Sequence, residues 1–277
     1  MALGPKKVLV MDKINVWYYK EGSRNNFGDY LGEYIPKKLT NKEIVYTPIH
    51  SPTKKFVTVG SVLNQMIGVN QNCVVWGSGI MTKNDTIPKN VELLAVRGPY
   101  TQQRLRDIGI TPPKVVGDPA LLLKNIYNPN VEKKYKLGII PHYVDYEYVK
   151  NKVGNNSNIK VIDLITNDIE KTIDDILSCE KTISSSLHGV IVSHAYDIPS
   201  LWVKFSNKLF GNSESMGNNI KFRDYFSSVN IKPYDGLNFI NKEIDMNEIL
   251  KILENNIDKS NIVEFDFKSL MDSCPYI

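Results

Sequence analysis

Short runs of β-branched and other apolar residues recur along the chain, separated by longer segments whose apolar positions return every three or four residues. Val8–Met11, Phe56–Val59, Cys73–Trp76 and Leu93–Val96 are the runs of the first half. Lys136–Ile140, Ile159–Ile162, Lys181–Ile183 and Ser200–Val203 continue the series in the second. Continuous apolar strands alternating with helices are the pattern of parallel sheets covered on both faces.

The helical segments carry their own signals. An amphipathic segment begins near Tyr30, and Thr101–Ile108 reads as a helix stopped by Gly109. Asp168 opens a segment with Ile169, Ile173, Ile176 and Leu177 on one face. Asn247–Ile257 places Ile249, Leu250, Leu253 and Ile257 in one stripe, and the final stretch with Phe265, Phe267, Leu270 and Met271 is expected to pack back on the body. A polar, turn-rich stretch, Tyr127–Lys134, separates two blocks that each restart with a strand. The fold class that follows is α/β, with two Rossmann-like domains over residues 1–130 and 131–277. Their parallel sheets face a central cleft with their carboxyl ends.

Composition narrows the choice. A length of 277 residues suits two domains at roughly 150 residues each. Hydrophobic residues at 42% and charged residues at 23% describe an ordinary globular chain, not a disordered one. No apolar run approaches the ~20 residues of a membrane span, and Met1–Lys7 with the short run after it does not read as a secretion leader. The net charge of +4 is scattered, so nucleic acid is not an expected partner; small anions or a weak peripheral contact with an anionic membrane face remain compatible. Cys73, Cys179 and Cys274 are odd in number and have no metal spacing, which fits a reducing, cytoplasmic setting and no obligatory metal.

Candidate chemistry collects where strands end. Asn26-Phe27-Gly28-Asp29 precedes a helix, where Gly28 allows close approach and Asp29 suits a cap or a sugar contact. Gly77-Ser78-Gly79 follows a buried strand, although a tight loop would use the same residues. Arg97 would project from a carboxyl edge, and its planar fork suits phosphate or carboxylate; a surface arginine on a turn is the plainer reading. Asp118, before Pro119, reads as a helix N-cap. His142 ends the first strand of the second half. Ser184-Ser185-Ser186 leads into a helix whose first turn holds Leu187, His188 and Gly189, where the helix dipole favours an anion. His194, inside that helix, reads as packed. Lys204 ends a strand, and Lys221 and Arg223 follow a polar loop; solvated charge suits Lys221 better than Arg223.

Taken in order, Asn26-Phe27-Gly28-Asp29, Trp76-Gly77-Ser78-Gly79, Val96-Arg97-Gly98, Gly117-Asp118-Pro119, Pro141-His142-Tyr143 and Ser185-Ser186-Leu187-His188-Gly189 resemble the polysaccharide pyruvyl transferase family over residues 20 to 230. The resemblance implies a GT-B-like pair of domains. It also implies transfer of pyruvate from phosphoenolpyruvate to two hydroxyls of a hexose, in a surface polysaccharide (capsule or exopolysaccharide) or its polyprenyl-linked precursor. The donor, with no obligatory cofactor, would meet the C-terminal domain. His188 is carried over as the catalytic acid/base, and Arg97, Ser186, Leu187, Gly189, Lys204 and Arg223 as donor contacts. Asn26, Asp29, Gly77, Ser78 and His142 fall on the acceptor or orienting side. Some relatives have arginine where this chain has Ser186, so a donor cation is expected from elsewhere, such as Lys204 or Arg223. A sugar-nucleotide glycosyltransferase on the same architecture and a non-catalytic glycan-binding assembly protein are the competing readings. The oligomeric state is not legible.

Overall fold

The computed structural model describes residues 13–20, 25–40, 42–66, 72–208, 213–262 and 264–277. The strand expected at Val8–Met11 lies outside them. The first half contains β1 (Lys13–Val16), α1 (Phe27–Leu39), β2 (Glu43–Tyr46), β3 (Lys55–Val57), β4 (Cys73–Trp76), β5 (Glu92–Val96), α2 (Pro99–Asp107), β6 (Val115–Val116) and α3 (Leu123–Ile126). After a stretch without helix or strand come β7 (Tyr135–Ile140), α4 (Tyr146–Val153), β8 (Ile159–Val161), α5 (Ile169–Leu177), β9 (Cys179–Ser184), α6 (Leu187–Ala195) and β10 (Ser200–Lys204). The chain continues through α7 (Ile220–Ser228), β11 (Leu237–Asn238), α8 (Met246–Glu254), α9 (Ile257–Ser260) and α10 (Phe267–Asp272).

All strand pairs are parallel, in two Rossmann-like sheets ordered β2-β1-β3-β4-β5-β6 and β11-β10-β9-β7-β8. Each order reverses once, between β1 and β3 in the first sheet and between β7 and β9 in the second. Open parallel sheets bind ligands beyond the strand carboxyl ends at such a reversal, because neighbouring connections depart to opposite faces there. In the second sheet those ends lead directly into His142 and into Ser185–His188.

Four helices begin with the side-chain caps their sequences offer. Asn26 caps α1 by accepting from Gly28 N, Asp168 caps α5 through Lys171 N, and Asp245 and Asp266 cap α8 and α10. Several elements correct the sequence reading. The stripe expected over Asn247–Ile257 breaks after Glu254, where Asn255 and Asn256 leave the helix, and Ile257 opens a separate turn 65% exposed. β1, β2 and β11 lie where no strand was expected, being short strands without a fully buried run.

One apolar cluster joins the halves, combining Phe27, Leu31, Trp76 and Leu122 with Ile140, Leu187, Val190 and Trp202. The final stretch returns to the first sheet: Trp76 Nε1 donates to Leu270 O at 3.1 Å, and Tyr276 meets Trp76 edge-on at 5.7 Å. All three cysteines are free and buried. Among the described residues no helix is long and apolar enough to cross a membrane.

Candidate active site

The second-sheet side of the site is built by β9 and α6. Ser184 Oγ donates to Ile140 O at 2.7 Å, and Ser186 N donates to Ser184 Oγ at 3.0 Å, folding the serine turn back on itself. Ser186 is the N-cap of α6 but does not cap it with its side chain. The amides of the first turn, carried by Leu187, His188 and Gly189, therefore keep the partial positive charge of a helix N-terminus.

His188 lies in that turn and is 9% exposed. Its ring meets the first half on two sides. The Cβ that any other residue would place at position 28 falls 2.0 Å from His188 Nδ1, so Gly28 is the space the imidazole occupies. On the other side, Nε2 faces Oδ2 of Asp118 at 3.7 Å. Asp118 is fully buried and uses Oδ1 as the expected cap, accepting from Ala120 N at 3.0 Å; its Oδ2 and His188 Nε2 are both sealed from solvent without a hydrogen bond. α6 packs on the 3-10 turn Pro119–Leu122 that Asp118 opens, and this packing holds the pair together.

His142 follows β7. Its amide donates to Ser185 Oγ at 2.8 Å, which ties the two strand ends of the reversal to each other. Burial pushes its pKa down to about 3, with the charge of Lys221 acting in the same direction, so the ring is neutral and its Nδ1 is buried without a partner. Lys221, near the start of α7, is itself 9% exposed. Its pKa is pushed down to about 8, chiefly by burial and then by Arg97, while Asp29 opposes. The expectation of a solvated Lys221 is thereby corrected. α7 turns Lys221, Phe222, Asp224, Tyr225 and Phe226 inward together. Arg223 is the outward one: it is 30% exposed and pairs with Asp235 at 2.5 Å, although its Nε is sealed without a partner.

Arg97 is not a surface residue on a turn but is wholly buried. Nε donates to Asp224 at 3.0 Å, Nη1 to Ser61 at 2.5 Å and Nη2 to Ile80 O at 2.6 Å. Asp224 also accepts from Thr101 N at 2.9 Å and Thr101 Oγ1 at 2.7 Å. It thus supplies from α7 the cap that Gly98, lacking a side chain, cannot give α2. A ligand reaching this guanidinium would have to displace Ser61.

The remaining candidates occupy graded positions around these groups. Asn26 bridges to Ile165 across the two halves, and Asp29 lies in the first turn of α1. Gly77 packs against Pro119, Gly79 against the Arg97 guanidinium, and Ser78 is buried with its hydroxyl donating to Val59 O at 3.1 Å. Leu187 is buried and Gly189 packs on Ser184 Oγ. Lys204 is half-buried at the end of β10, its ammonium 5.4 Å from the Trp202 ring centroid. Among the described residues no three His, Cys, Asp or Glu side chains gather to hold a metal.

Sequence reasoning missed the second oxygen of Asp118, the pairing of Gly28 with His188, and the inward turn of Lys221 and Asp224. The last had a signal: both charges stand on the same helical face as Tyr225, a spacing that puts them inside.

Comparison with known proteins follows the same segments. A profile of the family described as polysaccharide pyruvyl transferase matches residues 11–207, which reach from the first strand past β10 and stop short of α7. An uncharacterised protein of Acanthamoeba polyphaga mimivirus is 33% identical over 219 residues, covering 75% of this chain and 72% of that protein. The succinoglycan biosynthesis protein ExoV of Rhizobium meliloti (strain 1021) is 26% identical over 225 residues, covering 77% of this chain and 65% of its own length, just under two thirds. With the matched stretch taking in α1, the Arg97 strand end, the Asp118 turn and the His188 helix, the chain belongs to the polysaccharide pyruvyl transferase family.

Proposed function

We propose that this protein transfers the pyruvyl group of phosphoenolpyruvate onto two hydroxyls of one hexose, in a glycan that is free or polyprenyl-linked. The reaction would take place in a GT-B-like cleft between the two sheets. The observation that carries the reading is the seat of His188 in the first turn of α6, pressed against Gly28 and Asp118 of the first half. An acid/base at a meeting of two strand-end surfaces suits a reaction that joins two substrates.

The chemistry asks for a proton at one carbon and an oxygen at the next. His188 gives its proton to the methylene carbon of the donor while a sugar hydroxyl attacks the adjacent carbon, and the proton of that hydroxyl returns to the imidazole. Phosphate leaves with the electron pair of its carbon–oxygen bond. A second hydroxyl of the same sugar adds to the same carbon, and its proton departs with phosphate. The products are a ketal carrying a methyl and a carboxylate, and inorganic phosphate.

Negative charge on donor and leaving group falls to the amides of Leu187, His188 and Gly189 and to Lys221, a buried ammonium beside His142 and Arg97. Lys204 and Arg223 are the further donor cations of this proposal. Arg97 contributes charge and holds α7 through Asp224. Asn26, Asp29 and His142 face the acceptor. No step calls for a metal or an organic cofactor.

Purified protein incubated with phosphoenolpyruvate and hexose acceptors should release phosphate and yield a ketal-bearing glycan. His188→Ala should lose this turnover, and near-normal turnover in that variant would sink the assignment. Thermal stabilisation separates the competing classes, since a ligand at 100 times its Kd stabilises by about 2.7 kcal/mol. A response to phosphoenolpyruvate supports the transferase, one to a nucleotide sugar a glycosyltransferase, and one to glycan alone a binding protein.

A further inference from the structure

Asp118 does more than its capping bond accounts for. One carboxylate oxygen accepts from Ala120 N at 3.0 Å, and the other is sealed with no hydrogen bond. A buried carboxylate oxygen without a donor is costly, because it gave up water and received nothing in return. Tyr225, whose phenol feels the charge of Asp118, has its proton committed elsewhere. Ser200 O lies 3.2 Å from His194 Nε2, and a carbonyl only accepts, so Nε2 carries hydrogen. Burial holds that imidazole neutral, with a pKa down to about 4, so Nδ1 takes the hydroxyl proton of Tyr225 at 2.9 Å.

His188 Nε2 stands at 3.7 Å from that oxygen and is likewise sealed and unpartnered. A ring nitrogen and a carboxylate oxygen face each other across a gap about 0.8 Å longer than a normal hydrogen bond. The aspartate side of the gap is fixed. Pro119 packs where a Cβ on Gly77 would stand. Gly117 has φ +147, a conformation that favours glycine, with the Phe265 ring 2.5 Å from where its Cβ would be. Closure therefore comes from a small tilt of the imidazole.

Resting on the pyruvyl-transfer reading, we propose that Asp118 is the positioning residue of His188: it holds the proton on Nε2 and leaves Nδ1, the nitrogen beside Gly28, to exchange protons with the substrates. A carboxylate behind the ring also stabilises the imidazolium that forms when Nδ1 accepts a proton.

Asp118→Asn separates this role from capping. Asparagine caps as aspartate does, so the thermal midpoint should hold, while its amide turns a donor toward Nε2. The expected result is a fall in kcat of about 100-fold or more, with the KM for phosphoenolpyruvate unchanged and the acid limb of the pH–rate profile displaced. Nitrogen-15 spectra of labelled histidine, with His188 assigned by its loss in His188→Gln, should show Nε2–H in the wild type and Nδ1–H in Asp118→Asn. Wild-type kcat in Asp118→Asn, or one tautomer shared by both proteins, would overturn the proposal. If the wild type forms no ketal, the pyruvyl-transfer reading fails, and the spectra alone decide whether Asp118 sets the tautomer. Asp118→Ala, which loses the cap as well, should lower the thermal midpoint in addition.

Discussion

Gly28 and His188 are fitted to each other: a Cβ at position 28 would stand 2.0 Å from Nδ1 of the imidazole and 2.7 Å from its Cγ. The contact joins the first turn of α1 to the first turn of α6, so the geometry of the proposed acid/base is set by a residue from the other half of the chain.

Gly28→Ala therefore tests the site without testing the fold. Alanine is the better helix former, so α1 should persist with an unchanged circular dichroism spectrum. The imidazole must move by an ångström or more, and a displacement of that size lowers kcat by about 100-fold. Turnover equal to wild type would mean that His188 works from another position.

Lys221 makes opposite predictions for stability and binding. Its pKa in the folded protein is lowered to about 8 from 10.5, so the folded state disfavours the charged form and loses stability while the lysine is protonated in both states. Lys221→Met should raise stability near pH 7 by about 2–3 kcal/mol and weaken binding of phosphoenolpyruvate. As the pH climbs from about 8 to 10.5, the unfolded chain binds the extra proton and the wild type regains stability, so the advantage of the methionine variant should shrink. Melting curves at pH 7 and pH 10 measure both limbs. A variant less stable than wild type at pH 7 would show that the ammonium is satisfied where it lies.

Arg97 and Asp224 form a buried pair at 3.0 Å whose members are both inaccessible to solvent. Removing one partner of such a pair strands the other charge and costs about 3–5 kcal/mol. Arg97→Met should fall in that range by chemical denaturation. Arg97→Lys should also be destabilised, because one ammonium cannot reach Asp224, Ser61 and Ile80 O with the geometry of a planar fork. A lysine variant as stable as wild type would remove the case for a framework role.

The strand and helix alternation was readable because it is local. Cys73–Trp76 matches its predicted bounds, and the strands expected at Ser200–Val203 and Lys136–Ile140 each run one residue further, to Lys204 and from Tyr135. Asp168 and Asn26 announce their helices through bonds to amides two or three residues away. The edge strands Glu43–Tyr46 and Leu237–Asn238 escaped notice, since partial burial leaves no continuous apolar run.

Within the site the division is sharper. The chain itself determined that histidines, serines and glycines would stand at strand ends, because a strand end followed by a helix start is a property of neighbouring residues. Tertiary structure alone decided which groups those residues would meet. Arg97 meets Asp224 across 127 positions, Lys221 is buried by the inward turn of α7, and Asp118 keeps one oxygen for Ala120 while the other faces a histidine on helix α6 of the second half. Such partners leave no periodic trace in sequence: whether a charge is solvated, paired or poised depends on what packs over it, and packing is fixed only when the two sheets come together.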